Sequence, residues 1–336
     1  MPPPGVNDSL RRGAVMPETG AVVLDDVSIR LGNYPAVDGL TLRVETGEIF
    51  GLLGPNGSGK SSTLAAIAGV LETHSGSIRV GGHLQKDHPA EYARFIGYSA
   101  QQPALYDELS AHANLDFIAC LYDLPRQRRR LRIAHVLDQV GLTHRARERV
   151  GTYSGGMQRR LHLAASLLHE PAVLLLDEPS VALDAESRDV LFRVVTAYRD
   201  EGRTVVFSTH LLDEAEEWCD RVAVLTRGRL TAYGSPADVL HSHTTKQVLL
   251  GILQAELTEQ AEVALRRRFD HDVVFRIDAR RIRLEAADLE QLGQALTLLG
   301  AEGIEVVSWH TPVARLDHVA ETVFPDGVEG EACFAS

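Results

Sequence analysis

The sequence predicts an α/β domain with a mostly parallel sheet, followed by a smaller α+β domain. Three observations support this fold class. Short apolar runs alternate with helical stretches up to residue 234, which is typical of a parallel sheet covered by helices on both faces. A glycine-rich loop stands between one apolar run and the helix after it. Beyond Pro236 the elements follow a different order, which indicates a second domain.

Length and composition exclude several classes of protein. The 336 residues suit one large domain or two ordinary ones. No run of 18 apolar residues occurs, so the chain itself is not expected to span a membrane. The net charge of −12 would repel a phosphate backbone, and we expect no nucleic-acid partner. The three cysteines form no CxxC pair, which fits a reducing cytoplasm better than a disulfide framework or a thiolate zinc site.

The chain begins with a leader, residues 1–20, whose proline and glycine content predicts disorder. Apolar patterning then predicts strands within residues 21–31 and 40–54, a helix at 61–70 and a helical block at 115–140. Three more apolar runs predict strands within residues 172–179, 204–210 and 221–228. These elements make up a first domain at 21–240.

The C-terminal part has its own pattern. We predict a strand at 246–253, a helix at 257–268, two strands at 272–277 and 281–285, a helix at 289–299 and a strand at 304–309. This β-α-β-β-α-β order is the ferredoxin-like one. With a last helix at 313–323 it forms an expected accessory domain at 245–325, followed by a flexible tail at 326–336.

The strongest motif is the glycine-rich loop, which matches G-x-x-x-x-G-K-[ST] between a predicted strand and a predicted helix. We expect its backbone N–H groups to hold nucleotide phosphates, Lys60 to contact the β and γ phosphates, and Ser61 to bind Mg²⁺. The alternative is a flexible surface turn, but Lys60 is one of only three lysines in the chain. The predicted nucleotide-binding residues of the loop are Gly54, Pro55, Asn56, Gly57, Ser58, Gly59, Lys60, Ser61 and Ser62.

Two further motifs fit the same chemistry. Asp177 and Glu178 follow an apolar run, where Asp177 would hold Mg²⁺ and Glu178 would accept a proton from the attacking water or polarise it. Without the upstream loop, this pair is an ordinary start of a turn. Ser154, Gly155 and Gly156 precede a helix, where the serine suits the N-cap and the glycines leave the helix start open to a phosphate. By itself, this second motif is only a capped helix.

In this order the motifs resemble those of the ATP-binding subunit of an ABC transporter, over residues 22–240. The loop is similar to Walker A, and YSGGM at 153–157 is similar to the signature motif. LLLDEP at 174–179, SVALD at 180–184 and STH at 208–210 are similar to Walker B, the D-loop and the switch histidine. The resemblance implies a P-loop NTPase fold of the ABC type, with a helical subdomain at about 102–153.

The resemblance also implies roles and partners. Gln101 would sense Mg²⁺ and the attacking water, His210 would contact the γ-phosphate, and Asp184 would couple two halves of a dimer. The segment 154–156 would meet ATP held by a second copy or a homologous ATPase. A separate transmembrane permease would hold the chain at the cytoplasmic face of the membrane.

Three positions depart from the family pattern. Leu31 stands where an aromatic residue usually lies under the adenine ring, with Tyr34 three residues later. This change weakens base preference more than phosphate binding. Tyr153 replaces the commoner leucine and Met157 the commoner glutamine, and both changes are compatible with the retained serine and glycines.

The function that the resemblance implies is ATP hydrolysis that powers export of a drug-like or hydrophobic compound. One alternative is an ATPase for lipid or metal-cofactor export in envelope biogenesis, and another is a soluble ABC ATPase in translation or DNA repair. The C-terminal part resembles the accessory domain of daunorubicin-resistance ATPases, because residues 316–319 partly match their LEDVF tail. Its role is either dimerisation and stabilisation or ligand sensing.

Two features favour simpler interpretations. The pairs His83 with His88 and His241 with His243 suggest a metal site, but solvated loops are the favoured interpretation. The basic run at 126–132 suggests nucleic acid, but a solvated helix face is favoured in an acidic chain.

Overall fold

The computed structural model describes residues 20–243, 247–254, 256, 258, 274–276, 280–286, 289–301 and 303–310. They fall into two compact units, one of described residues up to Val239 and one from Leu240 onward. Within these ranges, no helix has the length and apolar character needed to cross a membrane. The predicted leader apart from Gly20, the predicted helix at 257–268 apart from Thr258, the predicted helix at 313–323 and the tail at 326–336 lie outside the described residues.

The first unit is built from alternating strands and helices. In chain order they are β1 (Val22–Leu31), β2 (Tyr34–Val44), β3 (Ile49–Leu53), α1 (Lys60–Ile67), β4 (Ser75–Val80), β5 (His83–Leu84), α2 (Pro89–Arg94), β6 (Ile96–Ser99), α3 (Ala111–Leu121), α4 (Arg126–Gln139), α5 (Gly155–Ser166), β7 (Val173–Asp177), α6 (Ala185–Asp200), β8 (Thr204–Thr209), α7 (Leu212–Trp218), β9 (Arg221–Thr226) and β10 (Arg229–Gly234). A further helix, α8 (Pro236–His243), begins in this unit. The strands predicted within 172–179, 204–210 and 221–228 are confirmed as β7, β8 and β9.

The central sheet has the strand order β10-β9-β3-β8-β7-β6, and all neighbours are parallel except β9 and β10. The predicted mostly parallel sheet is therefore confirmed. Every residue of β3, β7 and β8 is buried, as expected for central strands covered on both faces. The register pairs Leu53 with Thr209 and Asp177 with Ser208. The loop after β3 and the acidic pair at the end of β7 therefore lie at the same edge of the sheet.

A second sheet, antiparallel and ordered β2-β1-β4-β5, was not specified by the sequence pattern. Helix α1 packs against strands of both sheets, and its Leu64 and Ile67 are fully buried. They join one apolar core with residues of β1 and of the central sheet. The packing fixes the start of α1, and with it the glycine-rich loop, against two layers.

The predicted helical block is present as α3 and α4, which pack with α5 and α6 around a second apolar core. Ile133 and Val136 are buried in this core. Phe117 and Leu121, which share the same helical spacing, are instead 42% and 67% exposed. The spacing therefore predicted the helix correctly but did not distinguish the buried face from an exposed apolar one.

The basic run in α4 is more than a solvated face. Arg128 and Arg132 both form ion pairs with Glu170, which lies between α5 and β7. Arg132 also donates to the carbonyl oxygens of Leu167 and Leu168, at 2.9 and 3.2 Å. Through these contacts the run attaches the helical block to the end of α5.

Two cysteines lie in the described ranges, and both are free thiols. Cys120 is exposed near the end of α3. Cys219 directly follows α7 and packs closely against Gly51. A Cβ added at Gly51 would lie only 2.6 Å from the Cys219 Sγ. Burial raises the pKa of the Cys219 thiol well above its usual value.

The second unit contains β11 (Gln247–Leu253), β12 (Val274–Arg276), β13 (Arg281–Ala286), α9 (Leu289–Ala301) and β14 (Val306–His310). Its sheet has the order β12-β13-β11-β14, and all neighbours are antiparallel. The strands and the helix predicted at 289–299 are confirmed within the described residues.

Candidate functional site

The glycine-rich loop connects β3 to α1 and needs its glycines. Gly59 is the N-cap of α1 with φ of 103°, in the left-handed half of the backbone map, where other residues are rare. A Cβ at this position would lie 2.5 Å from the carbonyl oxygen of Ala36. Gly59 also has no side chain to cap α1, and the first backbone N–H groups of a helix have no intrahelical acceptor. The loop can therefore bind an anion.

A cleft of about 340 Å³ opens on this loop. Its lining residues are Leu31, Tyr34, Ala36, Asn56, Gly57, Gly59, Lys60, Ser61, Ser62, Gln101 and Glu178. The other predicted loop residues, Gly54, Pro55 and Ser58, do not line it. The cleft thus joins most of the loop to two of the predicted catalytic side chains.

Lys60 is the cation of the cleft. Its Nζ donates to the carbonyl oxygens of Gly54 and Pro55, at 2.7 and 3.0 Å. The residue is 4% exposed. Burial lowers the pKa of Lys60, while the nearby carboxylates of Glu178 and Asp177 oppose this shift.

Asp177 is surrounded by hydroxyl groups. Ser61 Oγ donates to Asp177 Oδ1 at 2.9 Å, and Ser208 Oγ donates to the same oxygen at 2.6 Å. In the part of the chain that the structure describes, no group of three His, Cys, Asp or Glu side chains is arranged to hold a metal. A cation here would have to be shared with other oxygens, as Mg²⁺ usually is with substrate phosphates.

The three predicted catalytic side chains lie together. Gln101 Nε2 donates to Glu178 Oε2 at 2.9 Å, and His210 Nδ1 lies 3.6 Å from Glu178 Oε1. Glu178 is 8% exposed and lines the cleft beside Gln101. The Glu178 carboxylate thus lies between an amide and an imidazole.

The signature residues lie elsewhere. Ser154 is the N-cap of α5, and its hydroxyl accepts from Met157 N at 3.3 Å. Ser154 and Gly155 are exposed, Gly156 is buried, and none of them lines the cleft. A Cβ on Gly156 would lie 2.8 Å from Ser187 Oγ, whereas one on Gly155 would meet nothing within 4 Å. The structure therefore does not bring this motif to the nucleotide loop of its own chain.

Asp184 likewise lies outside the cleft. It is the N-cap of α6 and accepts from Ser187 N at 2.7 Å. This hydrogen bond lowers the pKa of the exposed Asp184 carboxyl.

Sequence reasoning missed two residues beside the site. Ser208 Oγ accepts from the backbone N–H of Glu178 at 2.9 Å, although the STH motif had pointed only to His210. Arg159 Nη1 donates to the carbonyl oxygen of Glu178 at 2.8 Å, and the sequence contains no signal for this contact. Both act on the backbone of Glu178, which residue patterns do not reveal.

Comparisons with known proteins identify the family of this chain. A family model described as ABC transporter matches residues 37–181. The linearmycin resistance ATP-binding protein of Bacillus subtilis is 37% identical over 72% of this chain and 78% of its own length. The daunorubicin/doxorubicin resistance ATP-binding protein of Streptomyces peucetius is 35% identical over 84% of this chain and 86% of its own length.

Solved structures show the same fold. An ATP-binding subunit of an ABC transporter superposes with a TM-score of 0.61 at 30% identity, covering 65% of this chain and 91% of that one. A dimeric ATP-binding cassette in a post-hydrolysis state, bound to ADP and Pi, gives a TM-score of 0.59 at 25% identity, covering 64% and 98%. The chain therefore belongs to the ABC transporter family, as one of its ATP-binding and ATP-hydrolysing proteins.

Proposed function

We propose that this chain drives the export of a drug-like or hydrophobic compound through a separate membrane subunit. Two relatives named for resistance to linearmycin and to daunorubicin or doxorubicin support this substrate class. The second match extends over 284 residues, more than the 239 positions up to Val239, so it includes part of the second unit. The observation that carries the hydrolysis proposed to power this export is the Glu178 carboxylate, which lies between Gln101 and His210 at the nucleotide cleft.

ATP would lie with its phosphates on the glycine-rich loop and the start of α1. Lys60 would exchange its contacts with Gly54 and Pro55 for the β and γ phosphates. Tyr34 is 57% exposed in the same cleft, so it can supply an aromatic face for the adenine ring in place of Leu31.

Mg²⁺ fits the oxygen atoms at Asp177. Asp177 is 4% exposed, and its Oδ1 accepts hydrogen bonds from the hydroxyls of Ser61 and Ser208. Carboxylate and hydroxyl oxygens are hard ligands of the kind that Mg²⁺ prefers. Ser61 and Asp177 would hold the ion beside the phosphates, and Gln101 would contact it from the cleft wall. When bound, Mg²⁺ neutralises charge that develops on the phosphates.

Glu178 would accept the proton of the attacking water, or polarise it. Gln101 orients one carboxylate oxygen by its hydrogen bond, and His210 lies near the other, from where it can contact the γ-phosphate. Hydrolysis thus depends on three side chains that only the folded sheet edge brings together.

A second copy of this chain, or a homologous ATPase, would complete each site. Ser154, Gly155 and Gly156 lie outside their own cleft, and the first two are exposed at the start of α5. A helix start of this kind binds phosphate readily, so we propose that the motif contacts ATP held by the other subunit. Asp184 would couple the two halves beside it.

The membrane subunit would dock on the helical block at 102–153 and hold the chain at the cytoplasmic face of the membrane. The apolar side chains of Phe117, Leu121 and Leu131 are exposed on α3 and α4, which supports a protein partner there. No nucleic-acid partner is proposed, since the net charge is −12.

The second unit would be a ferredoxin-like domain at 245–325. The antiparallel order β12-β13-β11-β14 supports this topology. We propose that it stabilises the subunit or its dimer.

The test is Glu178→Gln in the chain purified with its membrane subunit. The amide cannot accept a proton, so steady-state ATP hydrolysis should be lost while ATP binding remains. Glu91→Gln, an exposed carboxylate on α2, is the matched control and should hydrolyse ATP normally. Unchanged hydrolysis in Glu178→Gln would overturn the assignment.

The substrate class is tested separately with inverted membrane vesicles that contain both subunits. ATP should drive doxorubicin into the vesicles, and the Glu178→Gln variant should not. If the vesicles hydrolyse ATP but take up neither doxorubicin nor linearmycin, the proposed cargo class is wrong. The assignment as an ATPase would still stand.

A further inference from the structure

Helix α5 contacts the segments that carry Gln101 and Glu178, while its first residue, Gly155, is exposed. Arg159 Nη1 donates to the carbonyl oxygen of Glu178 at 2.8 Å. One turn later, His162 Nδ1 lies 3.1 Å from Ser99 Oγ, two residues before Gln101. Positions 159 and 162 share one helix face. This face therefore contacts both segments that carry the Gln101–Glu178 pair.

The backbone of Glu178 needs external support. Its φ of +46° lies in the left-handed region, which a non-glycine residue keeps only when its surroundings hold it there. Ser208 Oγ accepts from its N–H at 2.9 Å, and Arg159 donates to its carbonyl oxygen. The peptide groups on both sides of the Glu178 side chain are thus fixed by hydrogen bonds.

Arg159 is the charged member of this support. Burial and the nearby Arg159 cation lower the pKa of His162 to about 4, so His162 is neutral near pH 7. The guanidinium is then the group that makes the stronger, charge-assisted hydrogen bond. The first turn of the same helix contains Gly156, where an added Cβ would lie 2.8 Å from Ser187 Oγ in α6, so α5 contacts both α6 and the backbone of Glu178.

We propose that Arg159 is a positioning residue that holds Glu178 in its productive backbone conformation and links it to the exposed start of α5. This inference rests on the proposed role of Glu178 in hydrolysis and on the proposed contact of segment 154–156 with ATP of the second subunit. ATP bound at one site would then act on Glu178 of the other through Arg159.

The experiment compares Arg159→Met and Arg159→Lys in the full-length chain with its membrane subunit. Methionine keeps the apolar stem but removes the donor. We expect kcat for ATP to fall about 10- to 100-fold, because a misplaced catalytic group costs rates of this order. KM for ATP should change by no more than about twofold, since the loop itself is unaltered. Lysine keeps one charged donor and should restore part of kcat.

Single-turnover hydrolysis of radiolabelled ATP separates positioning from general damage. If Arg159 acts through the carboxylate, Arg159→Met should lower the residual rate of Glu178→Gln by no more than about twofold. ATP-induced dimerisation of Glu178→Gln, measured by light scattering, should also persist with Arg159→Met added. Arg193→Met removes an exposed arginine of α6, outside the helical block, and should leave kcat within about twofold of the wild type.

Three results would overturn the proposal: a wild-type kcat in Arg159→Met, an equal loss of rate with and without the Glu178 carboxylate, or a parallel loss of ATP binding. If the wild-type complex does not hydrolyse ATP, or Glu178→Gln hydrolyses it normally, the proposed role of Glu178 fails instead. The two failures are therefore distinguishable.

Discussion

The side-chain amide of Gln101 donates to the carboxylate of Glu178 across 2.9 Å, although the residues are 77 positions apart. Both follow neighbouring strands, since β6 pairs with β7 in parallel and Ser99 lies opposite Leu176. The contact therefore depends on the order of strands in the central sheet. It joins the start of the helical block to the proposed proton acceptor.

Replacing this donor with an acid should slow hydrolysis. In Gln101→Glu a second carboxylate would face Glu178 and repel it, so we expect the ATPase rate to fall by about 10-fold or more. Steady-state phosphate release at saturating ATP measures the effect. Gln102→Glu adds the same charge at the next exposed position and should retain the wild-type rate. Equal rates in the two variants would contradict the proposed role of Gln101.

The two signature glycines should respond differently to alanine. A Cβ on Gly156 would lie 2.8 Å from Ser187 Oγ, and such overpacking lowers the free energy of unfolding by about 1–3 kcal/mol. A Cβ on Gly155 meets nothing within 4 Å, so Gly155→Ala should keep that free energy or raise it by up to about 1 kcal/mol. Urea denaturation followed by circular dichroism compares them.

The same pair tests the proposed second subunit. The open space beside Gly155 is where we expect the other ATP, so Gly155→Ala should reduce ATP-induced dimerisation despite its normal stability. A variant that is stable and also dimerises with ATP like the wild type would exclude close contact at this position.

Tyr34 should matter more than Leu31 for nucleotide affinity. Both side chains are exposed in the cleft, but only tyrosine offers a ring for stacking, which is worth about 0.5–1.5 kcal/mol. Tyr34→Leu should therefore raise the Kd for ATP about threefold to tenfold, whereas Leu31→Ala should change it less. Equilibrium titration with ATP and GTP measures both affinity and base preference. A larger effect of Leu31→Ala would show that the base lies over residue 31.

Stability should fall between pH 6.5 and pH 4. Burial is the main cause that lowers the pKa of His162 and of His169 from 6.5 to about 4. In this range the unfolded chain binds protons at these positions and the folded chain does not, so acid favours unfolding. Each histidine contributes up to about 1.4 kcal/mol per pH unit. The contribution is fully present above pH 6.5.

Urea unfolding at pH 7 and pH 5 measures this dependence. His162→Gln should make the dependence less steep by removing one of the two contributions, while His112→Gln, which replaces an exposed histidine on α3, should leave it unchanged. An equally steep loss of stability in His162→Gln would mean that other groups cause it.

Local patterns predicted much of this fold. The loop before α1, the strands β7 to β9 and the strands of the second unit each have a pattern that fits one kind of element. The antiparallel pairing of β1 with β2 and β4 was not predicted, because register between distant strands depends on packing rather than on local composition. The exposure of Phe117 and Leu121 was not predicted either, because helical spacing identifies a helix but not what packs against each of its faces.

The motifs named the side chains that meet at the candidate site, but not the residues that hold the backbone of Glu178. Glu178, Gln101 and His210 were named from motifs, and the structure brings them together. Arg159 and Ser208 contact the main chain of Glu178, a requirement that arises only because Glu178 adopts a left-handed φ. Residue types alone do not reveal such a conformation.

The exposed thiol of Cys120 offers a route to spectroscopy. It lies on α3 next to Leu121, on the face proposed for the membrane subunit. Cys219 competes poorly for a maleimide, because burial disfavours its thiolate. After Cys333→Ser, a fluorophore would attach selectively to Cys120, and its emission would follow docking of the membrane subunit and its release during ATP turnover.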